Sequence, residues 1–188
     1  MTNVEVSIQP TPNPNALKFT LNSDVKSTEG ASSYQTPMQA MHNPLACALF
    51  TIRGVDQVHF NKNSVTITKF GYEDWDAIED LIVDCLRDRV PAHDPEYNDP
   101  DPEAERRRNL SPELQEIEKI IDKTIRTGLQ ADGGDLICLS YTDNILIIKY
   151  QGACGSCPSS TTGTLEAIKH ILRENFNPEI DVYIAPEY

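Results

Sequence analysis

LICLSYTDNILIIKYQGACGSCPSSTTGTLEAIKHIL, residues 136–172, contains the change of hydrophobic period that decides the fold. Leu136–Tyr141 and Ile145–Tyr150 are apolar, β-branched runs on either side of Thr142-Asp143-Asn144, which predicts a hairpin and its turn. Further along, the spacing changes to three and four: Leu165, Ile168, Leu172 and Phe176 share one face of a predicted helix, and Asp181–Ile184 resumes as a strand. Between hairpin and helix lies GACGSCPSS, residues 152–160, with Cys154 and Cys157 three apart and Pro158 next. Proline suits the first position of a helix, because its missing N–H would be unbonded there and its φ is already helical. This places Cys157 at the N-cap and Cys154 in the turn before it, near the positive end of the helix dipole, where a thiolate is favoured over a thiol. Gly152 and Gly155 strip side chains from the turn, so both sulfurs are expected to be open to solvent.

Three chemistries use such a pair. A structural zinc site takes four ligands, and the chain has neither a second CxxC nor a histidine pair at ligand spacing: Cys47, Cys85 and Cys138 are isolated, and His42, His59, His93 and His170 are scattered. A thiol–disulfide oxidoreductase would use Cys154 as nucleophile and Cys157 as resolving thiol, but its helix begins within the motif, whereas here proline follows the second cysteine. The third chemistry is half of a metal site, two thiolates completed by two from another chain, as the tetrahedral iron of an iron–sulfur cluster requires. Half a site implies a dimer.

Upstream, Ser111-Pro112-Glu113 is an N-cap, first-position proline and first-turn acid. Leu114, Ile117, Ile121 and Ile125 form the apolar stripe of this helix, Gly128 is its expected stop, and Asp132-Gly133-Gly134-Asp135 reads as a turn. In the N-terminal half, Val4–Ile8 alternates, PTPNPN (10–15) breaks the strand, Ala16–Leu21 resumes it, and residues 22–41 read as loop. Asn43-Pro44 opens a short helix ending near Ile52. Val55–Phe60 and Val65–Phe70 form a hairpin, and a helix from Asp74 sets Trp75, Ile78, Leu81, Ile82, Cys85 and Leu86 on one face. Cys47 and Cys85 read as small core residues. From Pro91 to Asn109 four prolines alternate with charges. So little apolar surface cannot offset the entropy of ordering, and residues 93–109 read as a linker.

The whole-chain balance limits the partners. A formal net charge of −13 over 188 residues, with no net basic segment, argues against nucleic acid and anionic membranes. No stretch approaches the roughly 20 apolar residues of a membrane span. The first ten residues carry neither a basic n-region nor an arginine-rich pattern, so the chain is expected to be cytoplasmic, and five cysteines without a disulfide framework suit a reducing compartment.

ADGGDL (131–136) followed by residues 136–172 resembles the C-terminal domain of NifU-like, or Nfu-type, iron–sulfur cluster scaffold and carrier proteins. PTPNPNALKF (10–19), NPLACALFTIRGVDQVHF (43–60), SVTITKF (64–70) and the helix around Trp75 resemble the N-terminal domain that often precedes it. The resemblance implies that Cys154 and Cys157 hold a cluster shared between two subunits, and it favours [4Fe-4S] over [2Fe-2S]. The resulting expectation is an α+β protein of two small domains, each a short mixed sheet with helices packed on it. Residues 1–92 form the N-terminal Nfu-type domain that recognises clients or donors, and residues 110–188 form the cluster-binding domain. Such a chain is expected to be a carrier and not an enzyme, a homodimer when loaded, and a partner of apo iron–sulfur proteins and of upstream cluster-assembly proteins.

Overall fold

Alternating and β-branched runs in the first half pair into one antiparallel sheet. β1 (Val6–Pro10), β2 (Ala16–Leu21), β3 (Ser32–Tyr34), β4 (Val55–Asn61) and β5 (Ser64–Lys69) lie in the order β1-β2-β5-β4-β3. In this computed structural model, residues 3–28, 30–97, 110–155 and 160–185 are described. The chain divides into two units, Met1–Pro100 and Asp101–Tyr188. Helix α1 (Pro44–Phe50) starts where Asn43-Pro44 predicts, since the Asn43 side-chain oxygen accepts from Leu45 N and Ala46 N, both at 3.1 Å. With α2 (Trp75–Arg89) it contributes to a core in which Phe19, Leu49, Phe60, Ile67, Ile82 and Leu86 are fully buried.

Four details of this half depart from expectation. The sheet is antiparallel throughout and not mixed, because every neighbouring strand pair runs antiparallel. β3 lies inside the segment read as loop; three residues are too few to show a period. Leu81 is exposed, because it sits about 100° round the helix from Ile82 and falls outside the stripe of Ile78, Ile82 and Leu86. The expected linker starts too early: His93 Nε2 donates to the Val25 carbonyl at 2.8 Å, Ser27 N to the Pro95 carbonyl at 2.9 Å, and the Tyr97 hydroxyl meets that of Tyr34. These aromatic side chains gain partners that composition alone does not reveal; residues 98–109 lie outside the described part of the chain.

The second unit is built from α3 (Pro112–Thr124), α4 (Arg126–Ala131), β6 (Gly134–Thr142), β7 (Ile145–Gly152), a π turn (Ser160–Thr164), α5 (Leu165–Asn175) and β8 (Asp181–Ile184). β6 and β7 are the predicted hairpin, tightened to a two-residue turn with Asp143 (φ 52°) and Asn144 (φ 64°) in the left-handed region that these residue types tolerate. β8 joins β7 in parallel, so this sheet is mixed and the molecule is α+β. Ser111 Oγ accepts from Leu114 N at 3.3 Å and caps α3. Gly128 is not the stop: the helix breaks at Ile125 and runs on through Gly128 because Leu129 is again buried, and the chain turns at Gly133 (φ 79°). Ile117, Ile121, Leu136, Ile148, Ile168 and Leu172 fill the core, each contributing roughly 1.5–3 kcal/mol by burial.

Candidate functional site

The start of β6 and the end of β7 meet in a pair of glycines, Gly134 opposite Gly152. Gly152 has φ 60° and turns the chain out of the strand; Gly155 N donates back to its carbonyl at 3.0 Å, and Ala153 N donates to the Gly133 carbonyl at 3.1 Å. The turn thus folds Cys154 across the hairpin onto Gly134. A Cβ at Gly134 would collide with the Cys154 sulfur and stand 2.9 Å from both Cys154 Cβ and its backbone N, so only glycine leaves room for this thiol.

Cys154 is accordingly 5% exposed, which corrects the expectation of an open sulfur: bare glycines admit the side chain inward as readily as they would display it. Cys157, Pro158 and the helix start assigned to them lie outside the described residues. The helix continues from the π turn at Ser160 into α5. Cys138 is buried on β6, where desolvation and then the Glu118 carboxylate push its thiol well above the ordinary range; it packs in the core as an inert side chain. Cys47 and Cys85 are half-buried against the other core, and no group of three or more metal-binding side chains occurs among the described residues.

Arg126 fixes the base of the site. Its guanidinium meets Glu118, Asp122 at 2.5 Å and Asp135 at 2.7 Å, and it also donates to the Leu136 carbonyl at 2.9 Å. Asp135, buried beside Gly134, accepts further from Gln130 Nε2 at 3.1 Å. Burial works against the arginine charge, and Asp135, Glu118 and Asp122 more than offset it, so Arg126 stays firmly cationic. Two helices are thereby tied to the residues that cradle Cys154. Tyr150 lies on the inner side of β7, 4% exposed, and its hydroxyl has no partner among the described residues. Burial, then the Cys154 charge, raise this phenol above its ordinary range.

Cys154 is legible from sequence. The reading of DGGD as a turn misses the part played by Gly134, and neither Tyr150 nor Arg126 is signalled at all. A doubled glycine directly before a strand is the one hint, since a turn alone needs only Gly133.

Comparison with known proteins covers both halves. Residues 6–93 match the family described as scaffold protein Nfu/NifU N terminal, and residues 117–183 match the NifU-like domain. The human mitochondrial NFU1 iron-sulfur cluster scaffold homolog is 34% identical over 178 residues, covering 94% of this chain and 69% of that relative. The Drosophila sechellia protein of the same name is 30% identical over 94% of this chain and 62% of its own length. Among solved structures, a NifU-like protein from Saccharomyces cerevisiae aligns over 49% of this chain and 82% of its own, at 22% identity and TM-score 0.45. Protein SAV1430 from Staphylococcus aureus covers 44% of this chain and 98% of its own, at 17% identity and TM-score 0.40. With two domain matches in sequence order and a relative 34% identical over 94% of this chain, the chain belongs to the Nfu/NifU scaffold family.

Proposed function

We propose that this protein takes up an iron–sulfur cluster as cargo and passes it to apo-proteins, without catalysing a reaction of its own. Cys154 and Cys157 are the proposed ligands. The observation that carries the reading is the turn at Gly152–Gly155, a glycine-walled seat for a single sulfur, in a chain whose family relatives are named iron-sulfur cluster scaffolds. Two thiolates cannot satisfy four iron sites, so a second copy supplies its own pair and the cluster, [4Fe-4S] in preference to [2Fe-2S], sits on a two-fold axis. Thiolate exchange with an apo-protein then releases it. Residues 1–97, which include the packed segment 93–97, are the proposed recognition domain for clients and donors, and residues 110–188 are the proposed cluster-binding domain. Among the described residues no helix is long and apolar enough to cross a membrane. A reducing compartment is the proposed setting, cytoplasmic in the first instance, whereas the relatives above are named as mitochondrial.

Anaerobic reconstitution of wild type, Cys154→Ser and Cys157→Ser tests the proposal, with iron, sulfide and particle mass measured together. The expected result is four irons per two chains in the wild type and none in either variant. A loaded particle of one chain, iron retained by both variants, or a colourless wild type that only cycles between dithiol and disulfide would each overturn it.

A further inference from the structure

Along β7, Leu146, Ile148, Tyr150 and Gly152 point inward in turn, and the hairpin register sets Tyr150 opposite Leu136 and Gly152 opposite Gly134. Tyr150 is therefore the diagonal neighbour of Gly134 on the same face, and the space beside Gly134 is the space that the Cys154 sulfur fills. Diagonal pairs on a sheet lie within reach of an aromatic side chain. Tyr150 and Cys154 belong to the same buried cluster, Tyr150 is 4% exposed, and its hydroxyl has no hydrogen-bond partner among the described residues. A hydroxyl buried in that way destabilises the fold, and phenylalanine would fill the same space without the penalty.

Resting on the reading of Cys154 as a cluster ligand, we infer that Tyr150 is a positioning residue whose O–H donates a hydrogen bond to the Cys154 sulfur when that sulfur is anionic or iron-bound. A tyrosine phenol carries its proton at neutral pH and is a donor there. A thiolate that accepts such a bond is held in one orientation and presents less electron density to iron, which raises the reduction potential of the bound cluster. Tyr150 thus sets how firmly the cargo is kept.

The test compares full-length wild type and Tyr150→Phe, as apo-protein and after anaerobic reconstitution. Four quantities are measured: the apo melting temperature, iron and sulfide per chain, the reduction potential of the bound cluster, and its rate of extraction by a ferrous chelator. The inference expects apo Tyr150→Phe to melt at or above the wild-type temperature. It expects the loaded variant to have a lower potential and to lose iron about tenfold faster. A folded variant that takes up no cluster also supports it, since only the hydroxyl has gone. Unchanged potential and extraction rate overturn it, as does a markedly lower apo melting temperature with the potential unmoved, which would make the tyrosine purely structural. Failure of the wild type itself to take up iron sinks the cluster reading first, and this inference with it.

Discussion

One methyl group at Gly134 tests how tightly Cys154 is seated. The added carbon would collide with the sulfur and crowd the Cys154 backbone, and neither strand partner can retreat without breaking the Gly134–Gly152 pair. Gly134→Ala is therefore expected to lower stability by roughly 1–3 kcal/mol, the cost of overpacking. Because the turn must shift to relieve the clash, iron uptake should fall by more than the stability loss explains. Urea denaturation and iron content of the same preparation check both, and a variant that loads normally would show that the sulfur need not sit over Gly134. Residues of this kind mark the limit of what sequence carries. Cys154 declares itself through its own chemistry and flanking glycines. Gly134 and Tyr150 act through cross-strand register, which exists only after β6 and β7 have paired.

Helix α5 and strand β8 are legible as elements from their periods, but not the side-chain lock between them. Asp181 Oδ1 accepts from Lys169 Nζ at 3.0 Å and from Val182 N at 3.0 Å, with Arg173 Nη2 at 3.6 Å. Hydrogen bonds from Lys169, Tyr183 and the Val182 backbone lower the carboxyl from its ordinary 3.8 to about 2. A carboxyl lowered on folding stabilises the native state above its unfolded value and loses that contribution as pH falls towards the folded one. The wild-type melting temperature should therefore drop between about pH 4 and pH 2, and Asp181→Asn should flatten that part of the curve while melting lower near neutral pH. Thermal melts of both proteins across this range give the comparison; parallel curves would show that the lock adds nothing. The effect is modest, because Asp181 is over one-third exposed and water screens the pair. Elements whose apolar spacing is long enough to repeat, such as α3 and α5, are found from sequence. β3 at three residues is too short, and Gly128 is misread as a stop because Leu129 beyond it still has a core to enter.

At the scale of the molecule, two separate cores imply two separable tasks. The first unit is closed by Phe19, Phe60, Ile67 and the inner stripe of α2; the second has its own buried set from Leu114 to Val182, and among the described residues none belongs to both. The proposed ligands fall in the second unit alone, so a fragment comprising residues 110–188 should fold and take up the same iron per chain as the full protein. Transfer is different. If the first unit holds the client, the tether converts the hand-over into an encounter at millimolar effective concentration, and cutting it returns the reaction to the bulk concentration of the partners. The fragment should then deliver its cluster at least about tenfold more slowly when client and carrier are micromolar, and the gap should close as client concentration rises. Following activation of an apo iron–sulfur client by loaded full-length chain and loaded fragment, over a range of client concentrations, distinguishes the outcomes. Equal transfer rates at every concentration would remove recognition from the first unit, and a fragment that folds but takes up no iron would mean that the second unit's thiolates are insufficient without the first.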